Sequence, residues 1–264
     1  MTDREFEGKT VLVTGGGSGL GKAAALAFSR EGARIAIVSR SAERLEAAAQ
    51  EIQRAGGEAL GVAADVRSPE AVEAAVERIE KQLAPIDVLV NNAAGNFLVP
   101  SEQLTPNGFR SVVEIVLFGT WFCSSIVGRR MLSRGRGAMV NVVATYAETG
   151  MPGVVHSAAA KAGVLSITKT LAAEWGSRGI RVNAIAPGIM VTEGATQNLK
   201  FADPETQEKL KMMIPSRRLA RLEEVAEAIL YLCSSAADYV TGTCLTIDGG
   251  MSLPAGLGVS SLPR

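Results

Sequence analysis

Short apolar runs rich in β-branched residues alternate along this chain with longer stretches whose apolar positions recur every three or four residues. The first run, Val11 to Val13, contains no polar position and reads as a strand buried on both faces. It leads into glycines at 15, 16, 17, 19 and 21, followed by a helical pattern over 20–31. A strand at 34–38, an alanine-rich helix at 42–55 stopped by Gly56-Gly57, and a strand at 58–63 come next. Ser68-Pro69-Glu70 supplies an N-cap, a first-turn proline and an acid, opening a helix with Val72, Val76, Ile79 and Leu83 on one face. The pattern continues with a strand at 87–90, a long helix from Thr105-Pro106 to about 134, a strand at 138–143 and a helix at 157–178. A strand at 181–186, a helix at 222–233 and a strand at 243–247 complete it. Strands alternating with helices predict a seven-stranded parallel sheet covered on both faces. With no internal linker, repeat or low-complexity segment, residues 1–264 read as a single doubly wound α/β domain.

Such a sheet binds ligands beyond the carboxyl ends of its strands, where the strand order reverses. That rule gathers 15–21, Ser39-Arg40, Asp65-Val66, 91–96, 144–146 and 187–192 around one crevice. Strand, glycine turn and helix in succession build an anion site, because backbone N–H groups at a helix start point at a phosphate and glycine lets the backbone come close. The spacing Gly15-x-x-x-Gly19-x-Gly21 is one residue looser than the usual dinucleotide fingerprint. About twenty residues on, where an acid would meet a ribose 2′-hydroxyl, stand Ser39 and Arg40. A hydroxyl and a guanidinium suit a 2′-phosphate.

Composition narrows the classes further. Lysine plus arginine number 27 and aspartate plus glutamate 27, so no global basic field points to nucleic acid. No apolar run reaches membrane-spanning length by this reading, and the first residues carry neither a signal core nor an arginine-rich transit pattern. Cys123, Cys233 and Cys244 are widely spaced and odd in number, giving no metal spacing and fitting buried thiols in a reducing compartment. A cytoplasmic protein is expected.

The glycine loop, Asn91-Asn92-Ala93, Lys161 near a helix start and Pro187-Gly188 together resemble the short-chain dehydrogenase/reductase superfamily over roughly residues 6–251. The resemblance implies a Rossmann-type fold, a nicotinamide cofactor, hydride transfer and a catalytic asparagine, serine, tyrosine and lysine. Of that set only Lys161 stands in its usual place. Ser157 occupies the tyrosine position, Ala144 the serine position and Val116 the asparagine position. Serine is far too weak an acid to protonate a nascent alkoxide, which disfavours ordinary ketone reduction.

The stretches 91–97, 145–150 and 157–164 are similar to the NADPH-dependent 2,4-dienoyl-CoA reductases of unsaturated fatty acid β-oxidation. That branch carries its tyrosine earlier, at the place of Tyr146, with an asparagine matching Asn96, a serine matching Ser157 and the lysine matching Lys161. The resemblance implies NADPH held by Gly15, Gly17, Ser18, Gly19, Leu20, Gly21, Ser39, Arg40, Asp65 (against the adenine), Val66, Asn92, Ala93, Lys161, Pro187, Gly188, Ile189 and Thr192. It implies an acyl-CoA substrate and a homotetramer assembled through the helices at 106–134 and 157–178 and the C-terminal strand region. Another short-chain reductase of acyl thioesters or enones, or an NADPH-binding pseudo-enzyme, remains the alternative. A substrate loop is expected at 189–215, with Met190, Leu199, Phe201, Met212 and Met213 toward an acyl chain, ordering when acyl-CoA binds. His156 reads as loop packing. Arg217-Arg218-Leu-Ala-Arg221 reads as a solvated helix start, with a CoA phosphate as the second reading.

Overall fold

The computed structural model describes residues 4–192 and 203–253. Its strands are β1 (Thr10–Thr14), β2 (Arg34–Ser39), β3 (Glu58–Ala63), β4 (Ile86–Asn91), β5 (Gly137–Val142), β6 (Ile180–Pro187) and β7 (Cys244–Ile247). They form one seven-stranded sheet in the order β3-β2-β1-β4-β5-β6-β7, every neighbouring pair parallel. The helices are α1 (Gly19–Arg30), α2 (Ala42–Arg54), α3 (Pro69–Gln82), α4 (Pro106–Val113), α5 (Gly119–Arg134), α6 (Tyr146–Thr149), α7 (Val155–Trp175), α8 (Pro204–Met213) and α9 (Leu222–Cys233).

Alternating strand residues feed two cores. Val11, Val13, Ile35, Ile37, Val88 and Val90 pack with α1, α2 and α9 on one face. Leu12, Ala36, Leu89, Met139 and Val182 pack with α3, α5 and α7 on the other. The expected doubly wound sheet is therefore present, with its order reversing between β1 and β4.

Several expectations need correction. The long helix is interrupted: Glu114–Phe118 forms a π-helical turn between α4 and α5. By length and composition Pro106–Arg134 is apolar enough to cross a membrane, contrary to the sequence reading, and half of its most apolar window is buried. Its burial is against α3, α7 and the sheet, while Phe118 and Trp121 remain exposed. The segment expected as loop up to 215 contains α8, started by Asp203, whose carboxylate accepts from the Thr206 amide at 2.8 Å. Leu199 and Phe201 lie outside the described residues. The helix expected at 157–178 begins two residues earlier, at Val155, and closes with a 3₁₀ turn, Gly176–Arg178.

Candidate active site

At the reversal of strand order, the ends of β1 and β4 are stitched together. The Thr14 hydroxyl accepts from the Asn92 and Ala93 amides, each at 3.0 Å. Asn92 Nδ2 donates to the carbonyls of Thr14 at 3.0 Å and Gly15 at 3.3 Å. Gly15 turns here with φ +67°, and a Cβ on it would meet Asn92 Nδ2 at 2.8 Å. A Cβ on Gly21 would come within 2.3 Å of the Gly15 carbonyl oxygen. The glycines thus set how closely α1 approaches the strand end.

The start of α1 differs from those of α2, α3 and α4. Ser41, Ser68 and Thr105 each accept a hydrogen bond from the backbone amide three residues on. Among the described residues no side chain does this for α1, whose N-cap is Ser18. Its first-turn N–H groups are left for an anion, as a phosphate-binding helix requires.

In front of them opens a cleft of about 240 Å³ lined by Gly15, Gly17, Ser18, Ser39, Arg40, Asp65, Val66 and Ala93 from the expected set. Arg44 lines it too and was missed by the sequence reading. Its position in the first turn of α2, three residues after the N-cap Ser41, was the available signal. Asp65 is held by Arg67 through both carboxylate oxygens, with guanidinium contacts of 2.6 and 3.0 Å, and this pairing draws its pKa below the ordinary value. At the far side, Gly188 closes on Asp248, the Ile189 carbonyl accepts from the Ala220 amide, and Thr192 rests against Gly19. These contacts draw the segment after β6 toward the glycine turn. The cleft, its uncapped helix start and its guanidiniums fit a dinucleotide.

The expected catalytic residues converge beside this cleft. Tyr146 opens α6, and its half-buried phenol lies between two partners. Asn96 Nδ2 donates to the Tyr146 hydroxyl at 3.3 Å, and Ser157 Oγ lies 3.1 Å from that oxygen. The Phe97 amide donates to Asn96 Oδ1 at 2.9 Å, which fixes the carboxamide with its N–H₂ toward the phenol. Burial raises the Tyr146 pKa, opposed by the bonds to Ser157 and Asn96. One turn along α7 from Ser157, Lys161 is buried and donates to the Val142 carbonyl at 2.5 Å; desolvation lowers its pKa to about 8.

Deeper in the fold, Asn91 donates to Asn141 Oδ1 at 2.8 Å and to Ser124 at 2.9 Å. Asn141 then donates to Thr168 at 2.9 Å. This buried chain of amides ties β4, β5, α5 and α7 together behind the site. His156, expected in a loop, is in the first turn of α7. Fully buried, it packs edge-on against Phe97 at 4.4 Å between ring centroids, and burial lowers its pKa.

Residues 15–252 match the family model described as enoyl-(acyl carrier protein) reductase. The chain belongs to the short-chain dehydrogenase/reductase superfamily. Members of this superfamily bind a nicotinamide dinucleotide, in keeping with the cleft. A Bacillus subtilis protein named probable 2,4-dienoyl-CoA reductase, (2E)-enoyl-CoA-producing, is 45% identical over 250 residues, covering 94% of this chain and 98% of its own. The rat peroxisomal 2,4-dienoyl-CoA reductase, (3E)-enoyl-CoA-producing, is 41% identical, covering 96% of this chain and 87% of its own. A short-chain dehydrogenase structure from Bacillus anthracis has a TM-score of 0.88 at 45% identity, over 96% of this chain and all of that one.

Proposed function

We propose that this chain reduces 2,4-dienoyl-CoA thioesters to enoyl-CoA with NADPH. The observation that carries the reading is the Tyr146 hydroxyl held between Asn96 Nδ2 and Ser157 Oγ, with Ser157 at the usual tyrosine position. Relatives at 45% and 41% identity named as 2,4-dienoyl-CoA reductases support it. The fit to NADPH rests on Ser39, Arg40 and Arg44 around the cleft, where an aspartate would repel a 2′-phosphate. A structure from Beutenbergia cavernae described as an NAD(P)-dependent gluconate 5-dehydrogenase with NADP bound at low occupancy is 34% identical, covering 94% of this chain and 98% of that one, with a TM-score of 0.89.

NADPH, when bound, supplies the hydride that goes to the far end of the conjugated system. What the chain itself must stabilise is the negative charge that then collects on the thioester oxygen, until a proton from solvent reaches the dienolate carbon and completes the enoyl product. Tyr146 O–H and Asn96 N–H₂ each turn a donor toward that oxygen, forming an oxyanion hole. The raised phenol pKa suits this role, since the group must stay protonated to donate. Ser157 positions the phenol. Lys161 has three N–H donors, of which one goes to Val142, leaving two for the nicotinamide ribose hydroxyls. Phe118 at the end of the π turn and Trp121 on α5 present an exposed apolar face suited to the homotetramer inferred from the family.

Oxidation of NADPH is to be followed with a trans-2,trans-4-dienoyl-CoA and, in parallel, a 3-ketoacyl-CoA. Turnover of the dienoyl thioester alone is expected. A relative from Mycolicibacterium smegmatis named D-threitol dehydrogenase is 40% identical over 95% of this chain. A preference for D-threitol with an oxidised nicotinamide would therefore replace the reading.

A further inference from the structure

A cationic ledge lies beside the proposed site. The Ala220 amide donates to the Ile189 carbonyl at 3.0 Å, and Met190 and Ala220 form a parallel bridge. Residues 217–221 thus run alongside the chain as it leaves β6, at the sheet edge that also carries Tyr146 and Asn96.

Three exposed guanidiniums cluster here, and two of them share one carboxylate. Arg218 grips Glu224 with both nitrogens at 2.8 Å, and Arg221 approaches the same carboxylate at 3.2 Å. Bonding to Arg218 first and the Arg221 amide next holds Glu224 ionised, with a pKa of about 2. No other carboxylate among the described residues pairs with Arg217, Arg218 or Arg221, so the ledge carries an excess of two positive charges.

Arg217 adopts φ +58°, the one positive value at a non-glycine among the described residues. A side chain resists that conformation. From it the guanidinium reaches back to the Met212 carbonyl at 2.5 Å, at the end of α8. Met212 and Met213, both largely exposed, adjoin it. A cationic strip and an apolar one therefore lie side by side, next to the chain that leaves β6.

We infer that Arg217 and Arg221 receive the phosphates of the substrate's CoA portion, with Met212 and Met213 against its apolar arm. This rests on the thioester reading above. Arg218 has a different role, because its bidentate pairing with Glu224 holds the ledge to α9. Two charges on one anionic group favour guanidinium over a purely steric fit.

The test is calorimetric binding of free CoA and of pantetheine to protein saturated with NADP⁺, which occupies the dinucleotide cleft. The variant is Arg217→Gly with Arg221→Ser. Glycine suits φ +58°, and serine is a good N-cap for α9, so the fold is retained. CoA is expected to bind the wild type more tightly than pantetheine, by a margin that shrinks in high salt. The variant is expected to lose about tenfold in CoA affinity with pantetheine and NADP⁺ unchanged. Equal CoA affinity in variant and wild type would overturn the ledge, as would pantetheine binding as tightly as CoA. If CoA shows the expected pattern but no dienoyl-CoA oxidises NADPH, the ledge stands and the assigned reaction falls. If dienoyl-CoA and dienoyl-pantetheine turn over with equal KM, the reaction stands and the ledge falls.

Discussion

The two halves of the sheet build their ligand edges from different materials. Around β1 and β2 the edge is backbone: a turn at Gly15, an uncapped helix start and glycines with no room for a Cβ. Around β4, β5 and α7 it is side chains, with Asn96, Tyr146 and Ser157 linked by hydrogen bonds and Lys161 held by the Val142 carbonyl. A backbone site is a property of glycine spacing and survives many changes elsewhere. A side-chain site is a property of individual atoms, and the removal of one hydroxyl changes its chemistry.

Substitutions on each side should separate these halves. The largest effect is expected from Gly21→Ala, whose Cβ would lie 2.3 Å from the Gly15 oxygen. NADPH binding should vanish by fluorescence titration, while circular dichroism reports whether the sheet persists. Normal affinity would show that the turn yields. On the other side, Tyr146→Phe or Asn96→Ala should lower kcat by roughly 10²–10³-fold with NADPH affinity near normal. The double variant should lose less than the product of the two, because both donors serve one oxygen. Full activity in Tyr146→Phe together with an inactive Ser157→Ala would refute the oxyanion arrangement and return the chemistry to the usual tyrosine position.

Lys161 gives a third comparison, between function and stability. Its folded pKa of about 8 lies below the ordinary 10.5, because burial disfavours the charge. The unfolded chain keeps that proton up to higher pH, so stability should rise as pH climbs from about 8 to 10.5, with the full cost present below about 8. Lys161→Met should therefore stabilise the ligand-free protein by about 2 kcal/mol at neutral pH, after allowing for the lost bond to Val142. It should also lose that pH slope and bind NADPH poorly. Urea unfolding of both proteins at pH 7 and pH 10 decides this; a destabilised variant would contradict it. The smallest effect is expected on the backbone side, where Arg40→Ala should cost about tenfold in kcat/KM for NADPH and little for NADH. Equal losses for both cofactors would remove Arg40 from the 2′-phosphate.

Legibility in the sequence followed the same division. The succession of strands and helices and the glycine turn could be read because period-two and period-3.6 patterns and glycine spacing are local signals. Tyr146, Asn96, Ser157 and Lys161 came from motif resemblance, and no local pattern brings residues 50 apart to a 3.3 Å contact. Arg44 escaped notice because a charged residue in a helix's first turn usually faces water. The amide chain from Asn91 through Asn141 to Thr168 was equally hidden, since buried asparagine and strand-end asparagine are the same letter. The burial of His156 follows from Phe97 folding over α7, a tertiary contact without a sequence mark.

The π turn at Glu114–Phe118 carries one more consequence, for how this chain tolerates insertion and deletion. Val112 on its N-terminal side and Val116 within it join the small core beneath the Tyr146 region; on its C-terminal side Ile126, Val127 and Met131 belong to the core of the main sheet. The wider turn sets the angle between those two faces. Deleting a residue there would close it to an ordinary α-helix and turn one face about 100° against the other. A one-residue gap at residues 114–118 is thus a larger change than many substitutions in the core, because it turns the two packed faces of this helix against each other.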